Sequence, residues 1–325
     1  MTNKKPNILP IVVMYLLFFM IAFVTNLCNP MAVIVKNNFA MSNFAAQLGN
    51  AANFIAYAAM GIPAGMLLKK IGYRKTALVA ILIGFIGVFL QYMSGWAAIQ
   101  SFWVYLAGAF TAGFCMCMLN TVVNPMLNTL GGGGNKGNQL VQFGGVCNSL
   151  AAVLVTIIMG SLIADATKAQ IADATPALMI ALGVFAFAFL VLLLVKIPEP
   201  AQENEGDKAK DKKYSAFSFR HFNLGILAIF LYMGVEVGVP TYVMQYLTTS
   251  PDATTPGLGI NASIVGMIVA VYWLLMLVGR LLGGMIGGKV SSRAQITGVS
   301  ILCLVLVLLG MFLPTDVMVK MPGID

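Results

Sequence analysis

The sequence predicts an all-α integral membrane protein, and three observations lead to that prediction. Of the 325 residues, 59% are hydrophobic and only 9% are charged, which leaves too little polar surface to cover a globule in water. Nine apolar stretches each approach the roughly 20 residues that a helix needs to cross the hydrocarbon of a bilayer. The basic residues collect in alternate loops, which is typical of a chain that crosses a membrane repeatedly.

Six of the predicted spans precede a polar linker, and three follow it. Each is predicted to be helical, because a backbone segment in lipid must satisfy its own hydrogen bonds. The first span follows Lys4 and Lys5 without a small-residue cleavage site, so we expect a retained span and not a signal peptide. The linker, PEPAQENEGDKAKDKK, occupies residues 198–213. The spans are, in order, 9–27, 47–68, 77–93, 102–128, 140–163, 177–195, 224–247, 264–286 and 296–313.

The basic residues also predict an orientation. With the N-terminus inside, the cytoplasmic side carries clusters at 69–75 and 208–220, whereas the outer side keeps only Lys36, Lys168 and Lys320. The positive-inside rule therefore predicts a multi-pass protein of the cytoplasmic (inner) membrane with a cytoplasmic N-terminus. The same asymmetry explains the net charge of +8 without a nucleic-acid partner.

Enzymatic and metal chemistry are not expected. His221 is the only histidine, so neither a histidine-based metal site nor a Ser-His triad can be assembled. The five cysteines all lie in apolar stretches, which favours small core residues over a disulfide framework. We therefore expect no catalytic residue, no metal and no cofactor.

Two repeats are visible along the chain. Span two ends GMLLKKIGYRK and span eight ends GMIGGKVSSR, and aligning Gly65 with Gly284 superimposes Lys70 on Lys289. The first spans of the two three-span units also share an Asn-Pro pair, at 29–30 and 124–125, and span seven adds Pro240. Proline interrupts a helix, and interrupted helices in such repeats indicate a binding site near the membrane midplane.

These features resemble the major facilitator superfamily, and within it the L-fucose permease-like family of fucose, galactose and glucose symporters. Four segments carry the resemblance: IPAGMLLKKIGYRK after span two, NPMLNTLG after span four, NSLAAVLVTIIMGSLI along span five and YMGVEVG in span seven. It implies a major facilitator-type bundle of twelve helices. Because nine are present, we expect a sequence that is incomplete at its C-terminus. The expected domains are a six-helix bundle at 1–196, a cytoplasmic linker at 197–221 and an incomplete three-helix bundle at 222–325.

The resemblance does not carry over the acids of that family. Its pattern places an aspartate of helix one at Asn29 and a glutamate of helix four at Asn120, so both acids are absent here. The family's asparagine in helix five is matched at Asn148. The proton mechanism of the best-known members therefore cannot be transferred at those two positions.

Carboxamide side chains form stripes inside the spans. Asn120, Asn124 and Asn128 recur every four residues in span four, so they share one helix face, and a second set recurs every three residues in span two. Carboxamides donate and accept hydrogen bonds, which suits a neutral ligand covered in hydroxyls, such as a hexose. The alternative is hydrogen bonding between helices. The predicted substrate-binding residues are Asn26, Asn29, Asn50, Asn120, Asn124, Gln142, Asn148, Tyr232 and Glu236.

Glu236 is the one acidic residue that lies deep within a predicted span. A charge at the centre of a bilayer costs about 2.5 to 3.5 kcal/mol on insertion scales, so a solitary acid normally faces a cavity or a partner. We expect Glu236 to carry the coupling cation or to accept hydrogen bonds from sugar hydroxyls. The alternative is a permanently protonated residue bonded to a neighbouring helix.

Residues at the cytoplasmic corners are predicted to control conformational change. Arg280 lies near the cytoplasmic end of span eight, where a long side chain is expected to snorkel to the interface; a gating contact with the other half is the alternative. The predicted conformational or gating residues are Gly65, Lys69, Lys70, Gly72, Arg74 and Arg280.

The sequence thus predicts a secondary active transporter that moves a sugar of the fucose, glucose or galactose class by alternating access. Coupling to H+ or Na+ is expected to run through Glu236. We expect a monomer surrounded by membrane lipid. An uncoupled or Na+-coupled facilitator and a non-transporting membrane sensor are the alternatives, and an enzyme is not expected.

Overall fold

The computed structural model describes residues 8–162, 170–199, 216–248, 251, 257–260 and 262–312. In this part of the chain, nine helices are long and apolar enough to cross a membrane, and no strand is found. A short turn of helix, Asn43–Ala46, precedes the second of them, and a 3-10 turn, Ala216–Ser218, precedes the seventh. The nine are α1 Ile8–Asn38, α2 Leu48–Ile71, α3 Tyr73–Met93, α4 Phe102–Leu130, α5 Gly134–Leu162, α6 Thr175–Leu194, α7 Arg220–Thr248, α8 Ala262–Gly287 and α9 Ser292–Phe312.

The prediction of an all-helical membrane fold is confirmed, and each predicted span overlaps one helix. The clearest difference is the end of α1, which continues from 27 through Pro30 to Asn38. A proline removes only one backbone donor, and several apolar side chains beyond it are fully buried, among them Met31, Ile34 and Val35. The linker predicted at 198–213 lies outside the described residues from 200 onward.

Helices α1 to α6 pack into one group, here called the first helix group. In it, α4 packs along α2 and α3, α1 packs along α4 and α5, and α3 packs against α6. Glycines permit the closest approach, because a Cβ at Gly87 of α3 would lie 2.7 Å from the backbone nitrogen of Ala112 in α4. The core is made of large apolar side chains such as Met14, Leu17 and Met116.

Helices α7 to α9 form the second helix group, which meets the first mainly through α5 and α8. No residue of α9 is buried, and its exposed side chains, such as Leu302 and Leu309, are apolar. Such surface is incompatible with water and fits contact with lipid. The chain is therefore a multi-pass membrane protein. We call the side on which α2 and α8 end the basic side, since Lys69 and Lys289 lie there.

Candidate substrate and coupling site

An ion pair joins α7 to α8 inside the second helix group. The Arg280 guanidinium donates through Nη2 to Oε1 of Glu236 at 2.8 Å. Only 13% of the Glu236 side chain and 23% of the Arg280 side chain are exposed. The solitary acid expected from the sequence is therefore half of a charge pair, and the attraction of Arg280 offsets part of the cost of placing a carboxylate at this depth.

The same guanidinium also reaches the first helix group. Its Nη1 donates to the Gly145 carbonyl at 3.2 Å and to the Ser149 hydroxyl at 3.0 Å, both on α5. The approach is close, since a Cβ at position 145 would lie 3.2 Å from Cδ of Arg280 and the arginine would have to shift by a few tenths of an ångström. The expectation that Arg280 snorkels to the interface is wrong: polar partners on α5 and α7 hold its guanidinium inside the protein.

A proline inside the continuous helix α7 explains how Glu236 is positioned. Pro240 has no N–H, so the carbonyl four residues earlier, that of Glu236, loses its helical partner. The Tyr272 hydroxyl of α8 donates to this carbonyl at 3.0 Å. A donor from a neighbouring helix thus satisfies the group that the proline frees, as a membrane interior requires. Tyr232 lies one helical turn before the acid on α7.

The asparagine stripe lies on α4 in the first helix group. Asn124 donates to the Oδ1 of Asn120 at 3.3 Å, and the Tyr57 hydroxyl of α2 lies within hydrogen-bonding reach of Asn120. Two contacts align α1 and α2 with this stripe. The Thr25 hydroxyl lies 3.3 Å from the Met116 sulfur. The Asn53 amide lies 3.4 Å from the Cys28 sulfur, so residue 26 is at the same depth as these contacts.

On the basic side, neutral amides connect the two helix groups. Asn138 donates to the Ser292 hydroxyl at 2.8 Å, and Gln139 donates to the Gly284 carbonyl at 2.8 Å. Gln142 donates to Gln295 Oε1 at 3.2 Å. The sequence assigns Gln142 to substrate binding. In the structure its side chain lies against α8 and bonds Gln295 of the second helix group. A cavity of about 460 Å³ opens beside this contact and is lined by Asn124, Pro125, Asn128, Thr129, Asn138 and Val141.

The remaining predicted substrate residues are less closely connected to the ion pair. Asn50 donates to Gln47 Oε1 at 2.6 Å within its own helix turn. Asn148 is partly exposed and immediately precedes Ser149 on α5. The side chain of Asn29 lies outside the described residues. The structure therefore brings Glu236 together with a residue from the gating prediction, Arg280, while Asn120 and Asn124 contact each other on α4.

Two of the predicted gating residues, Gly72 and Arg74, lie against an acid that the sequence reasoning missed. Both carboxylate oxygens of Glu199 accept from the first backbone N–H groups of α3, Tyr73 at 2.8 Å and Arg74 at 3.0 Å. Gly72 makes the turn possible, because its φ of 84° is left-handed and a Cβ would lie 2.8 Å from the carboxylate. The Arg74 side chain donates to the carbonyl of Leu192, near the end of α6, at 3.1 Å.

Lys69, Lys70 and Gly65 are not part of that network. The two lysines are exposed, and a Cβ at Gly65 would meet nothing within 4 Å among the described residues. A sequence signal existed for one of the missed residues, Tyr272, because Pro240 implies a donor for the carbonyl that it frees. Nothing in the sequence pointed to Glu199 or to Ser149.

The fold and the site define a class of protein: a multi-pass helical membrane protein whose two helix groups meet through the arginine of an internal charge pair and through a neutral amide contact. The chain belongs to the Major Facilitator Superfamily, which matches residues 14–321. The family resemblance predicted from the four sequence segments is confirmed. This is a superfamily of transporters and not of enzymes.

Two curated relatives illustrate the similarity. The chain is 30% identical over 274 residues to a glucose/galactose transporter of Brucella abortus, a match that covers 82% of this chain and 64% of the relative. It is 23% identical over 339 residues to the L-fucose-proton symporter of Escherichia coli, covering 95% of this chain and 74% of the symporter. The chain thus spans less than two thirds of the Brucella transporter.

A solved structure shows the same fold. The crystal structure of a Major Facilitator Superfamily transporter, FucP, in the outward conformation matches with a TM-score of 0.75 at 20% identity. The match covers 95% of this chain and 78% of the FucP chain.

Proposed function

We propose that the protein transports a hexose-type sugar across the cytoplasmic membrane by alternating access, with cation coupling through Glu236. One observation carries the proposal: a single guanidinium, Arg280, binds the carboxylate of α7 and two groups of α5 in the opposite helix group. The state of the acid is thereby linked to the contact between the two groups. The names of the relatives, glucose/galactose transporter and L-fucose-proton symporter, support a sugar as the substrate.

The coupling follows from the energetics of the charge pair. While Glu236 is ionised, it neutralises Arg280, and the guanidinium can remain buried against α5. When a cation, H+ or Na+, occupies the carboxylate, Arg280 is left as an uncompensated charge. Removing one partner of a buried pair costs about 3 to 5 kcal/mol, which is enough to change the preferred arrangement of the two helix groups.

Alternating access would use the neutral contact between α5 and α8 on the basic side. We propose that this contact closes the cytoplasmic entrance and separates when the helix groups rock. Because Gln139 and Gln142 are amides, opening it does not expose unpaired charges. In this arrangement the N-terminus is cytoplasmic and one chain forms one transport unit in lipid.

The proposal is tested by uptake into liposomes that contain the reconstituted protein, with radiolabelled D-glucose, D-galactose and L-fucose. Glu236→Gln should abolish accumulation against a gradient while exchange of internal for external sugar persists, because the amide cannot carry a proton. A charge-balanced control, Glu236→Gln combined with Arg280→Gln, should exchange sugar at least as well as the single variant. If Glu236→Gln still accumulates sugar under a proton or Na+ gradient, the acid is not the coupling group.

The wild-type protein separates the competing functions in the same assay. Accumulation that a protonophore collapses indicates H+ coupling, and accumulation that requires external Na+ indicates Na+ coupling. Exchange without accumulation under either gradient would identify an uncoupled facilitator. Absence of uptake and exchange for all three sugars would contradict the proposal of sugar transport.

A further inference from the structure

One oxygen in the neutral contact between α5 and α8 is buried without a donor. The carboxamide oxygen of Gln142, Oε1, is shielded from solvent and has no hydrogen-bond partner in the described part of the chain. It lies against two glycines of α8, because a Cβ would lie 3.0 Å from it at Gly283 and 3.3 Å from it at Gly287. Glycines present only C–H groups there, and these are weak donors. The contact between the two helix groups therefore contains a buried acceptor that is not satisfied.

The neighbours of Gln142 fix the orientation of its amide. Gln295 of α9 donates through Nε2 to the Val290 carbonyl at 2.9 Å. Because a carbonyl oxygen only accepts, the nitrogen of Gln295 must lie on that side. The oxygen of Gln295 is thus turned the other way, where it accepts from Nε2 of Gln142 at 3.2 Å. Exchanging the two ends of the Gln142 amide would bring two acceptors together, so its oxygen is the atom that faces the glycines.

The other amides of this contact have no such unpaired atom. Gln139 donates to the Gly284 carbonyl and Asn138 donates to the Ser292 hydroxyl, and neither side chain has a buried polar atom without a partner among the described residues. A buried acceptor that lacks a donor costs more than a typical hydrogen bond contributes, since it has lost its water without replacement. When the helix groups separate, water can reach the oxygen of Gln142. The cost is therefore present only while the contact is closed.

We infer that Gln142 destabilises the closed contact between α5 and α8 and thereby keeps it near the balance at which the two helix groups can separate. This inference rests on the proposed alternating access and specifies what favours opening of the cytoplasmic entrance. Asn138 and Gln139 stabilise the closed contact. Gln142 adds one hydrogen bond to it and one larger penalty, so its net effect opposes closure.

Two substitutions that delete the same hydrogen bond from opposite ends test the inference. Gln295→Met leaves the whole amide of Gln142 buried without a partner, so the closed contact should become weaker. Gln142→Met removes the bond and the unpaired oxygen together at nearly the same side-chain length, so the closed contact should become stronger. We expect the ratio of closed to open molecules to change about threefold, downward in Gln295→Met and upward in Gln142→Met.

Distances between spin labels at positions 136 and 289 measure this ratio in the full chain without its native cysteines, reconstituted in lipid. D-glucose, D-galactose and L-fucose are added in turn, so that a transported sugar populates both arrangements. Gln139→Met is the matched control, because it exchanges an amide for methionine on the same helix but removes a bond that has no unpaired oxygen beside it. It should open the contact. Closure in this variant would mean that methionine itself favours closure and would overturn the inference.

The outcomes separate the inference from the proposal on which it rests. If Gln142→Met opens the contact as Gln295→Met does, Gln142 only clamps the helix groups together, and the inference is wrong while sugar transport stands. An unchanged ratio in Gln142→Met would show that the buried oxygen costs nothing, with the same consequence. Absence of uptake for all three sugars would contradict the transport proposal, and uptake is measured independently of these distances.

Discussion

Glu236 is held both by its side chain and by its backbone, and each contact has a separate cause. Its side chain is fixed by charge, through Arg280 at 2.8 Å. Its backbone is fixed because Pro240 withdraws a donor and Tyr272 supplies one at 3.0 Å. Glu236 therefore lies at the proline-containing turn of α7, where a helix bends most readily.

Removing the Tyr272 hydroxyl tests the second of these contacts. Tyr272→Phe keeps the ring and deletes one oxygen, so the Glu236 carbonyl loses its donor in a membrane interior. An unsatisfied backbone acceptor costs about 1 to 3 kcal/mol, and we expect a thermal midpoint lowered by a few degrees together with slower uptake. The measurement is thermal unfolding in detergent alongside sugar uptake.

The matched control for that variant is Tyr242→Phe, because Tyr242 is 69% exposed and stacks only on Tyr246. It should unfold and transport as the wild type does. Equal behaviour of the two variants would mean that the carbonyl freed by the proline finds another partner and that the Tyr272 bond is dispensable.

At the residue scale, the sequence located the acid but not its partners. Glu236 was predictable because a charge at membrane depth is costly and must be satisfied. Arg280 was not, since an arginine near a helix end can either snorkel or turn inward, and composition does not choose between the two. Ser149, which contacts the guanidinium, lies 131 residues before Arg280 in the sequence, and residue spacing does not predict contacts at such a separation.

At the element scale, the loop between α2 and α3 is tied to the end of α6. The carboxylate of Glu199 caps α3, where the helix dipole places positive partial charge. Arg74 binds two carbonyls near the end of α6, where the partial charge is negative. The end of α2, the start of α3 and the end of α6 are thus joined on the basic side. An acid binds the positive end of one helix dipole and a base binds the negative end of another, and we expect these three helix ends to move as one unit.

Removing the cap tests this connection. Glu199→Ala deletes the acceptor for two N–H groups of α3, and the loss of a helix cap costs about 1 kcal/mol. We expect a lower thermal midpoint and faster proteolysis of the loop between α2 and α3, with sugar binding unchanged because the cap lies away from the ion pair. Lys196→Ala, an exposed neighbour in the same segment, is the control and should be neutral. Unchanged proteolysis in Glu199→Ala would show that α3 does not depend on this cap.

The number, order and membrane character of the helices could be predicted from the sequence, because long apolar runs have one solution in lipid. Their ends could not be predicted as well. The α1 helix passes Pro30, since the packing of the apolar residues that follow it outweighs one missing hydrogen bond. The carboxamide spacing also predicted which residues of α4 share a helix face. It could not predict whether a given carboxamide bonds another helix, because that depends on tertiary packing: Gln142, predicted to bind substrate, donates to Gln295.

At the scale of the whole molecule, the sequence repeat does not produce equal surroundings. Gly284 packs against the Phe143 ring of α5, where a Cβ would lie 3.2 Å from the nearest ring atom. The aligned Gly65 faces open space among the described residues. Of the two repeated segments, only the one on α8 connects the helix groups on the basic side. Its glycine face, the side of α8 that carries Gly284, packs against the amides of α5.

That glycine face predicts how the molecule opens. Gly284→Leu places a large side chain between α8 and Phe143, so the two helix groups should be pushed apart on the basic side. Spin labels at Lys136 and Lys289, two exposed positions on either side of the contact, would report a distance longer by a few ångströms in a variant without the native cysteines. Gly279→Leu, on the same helix with nothing within 4 Å, should leave the distance unchanged. A distance that is identical in all three proteins would mean that this contact does not hold the helix groups together.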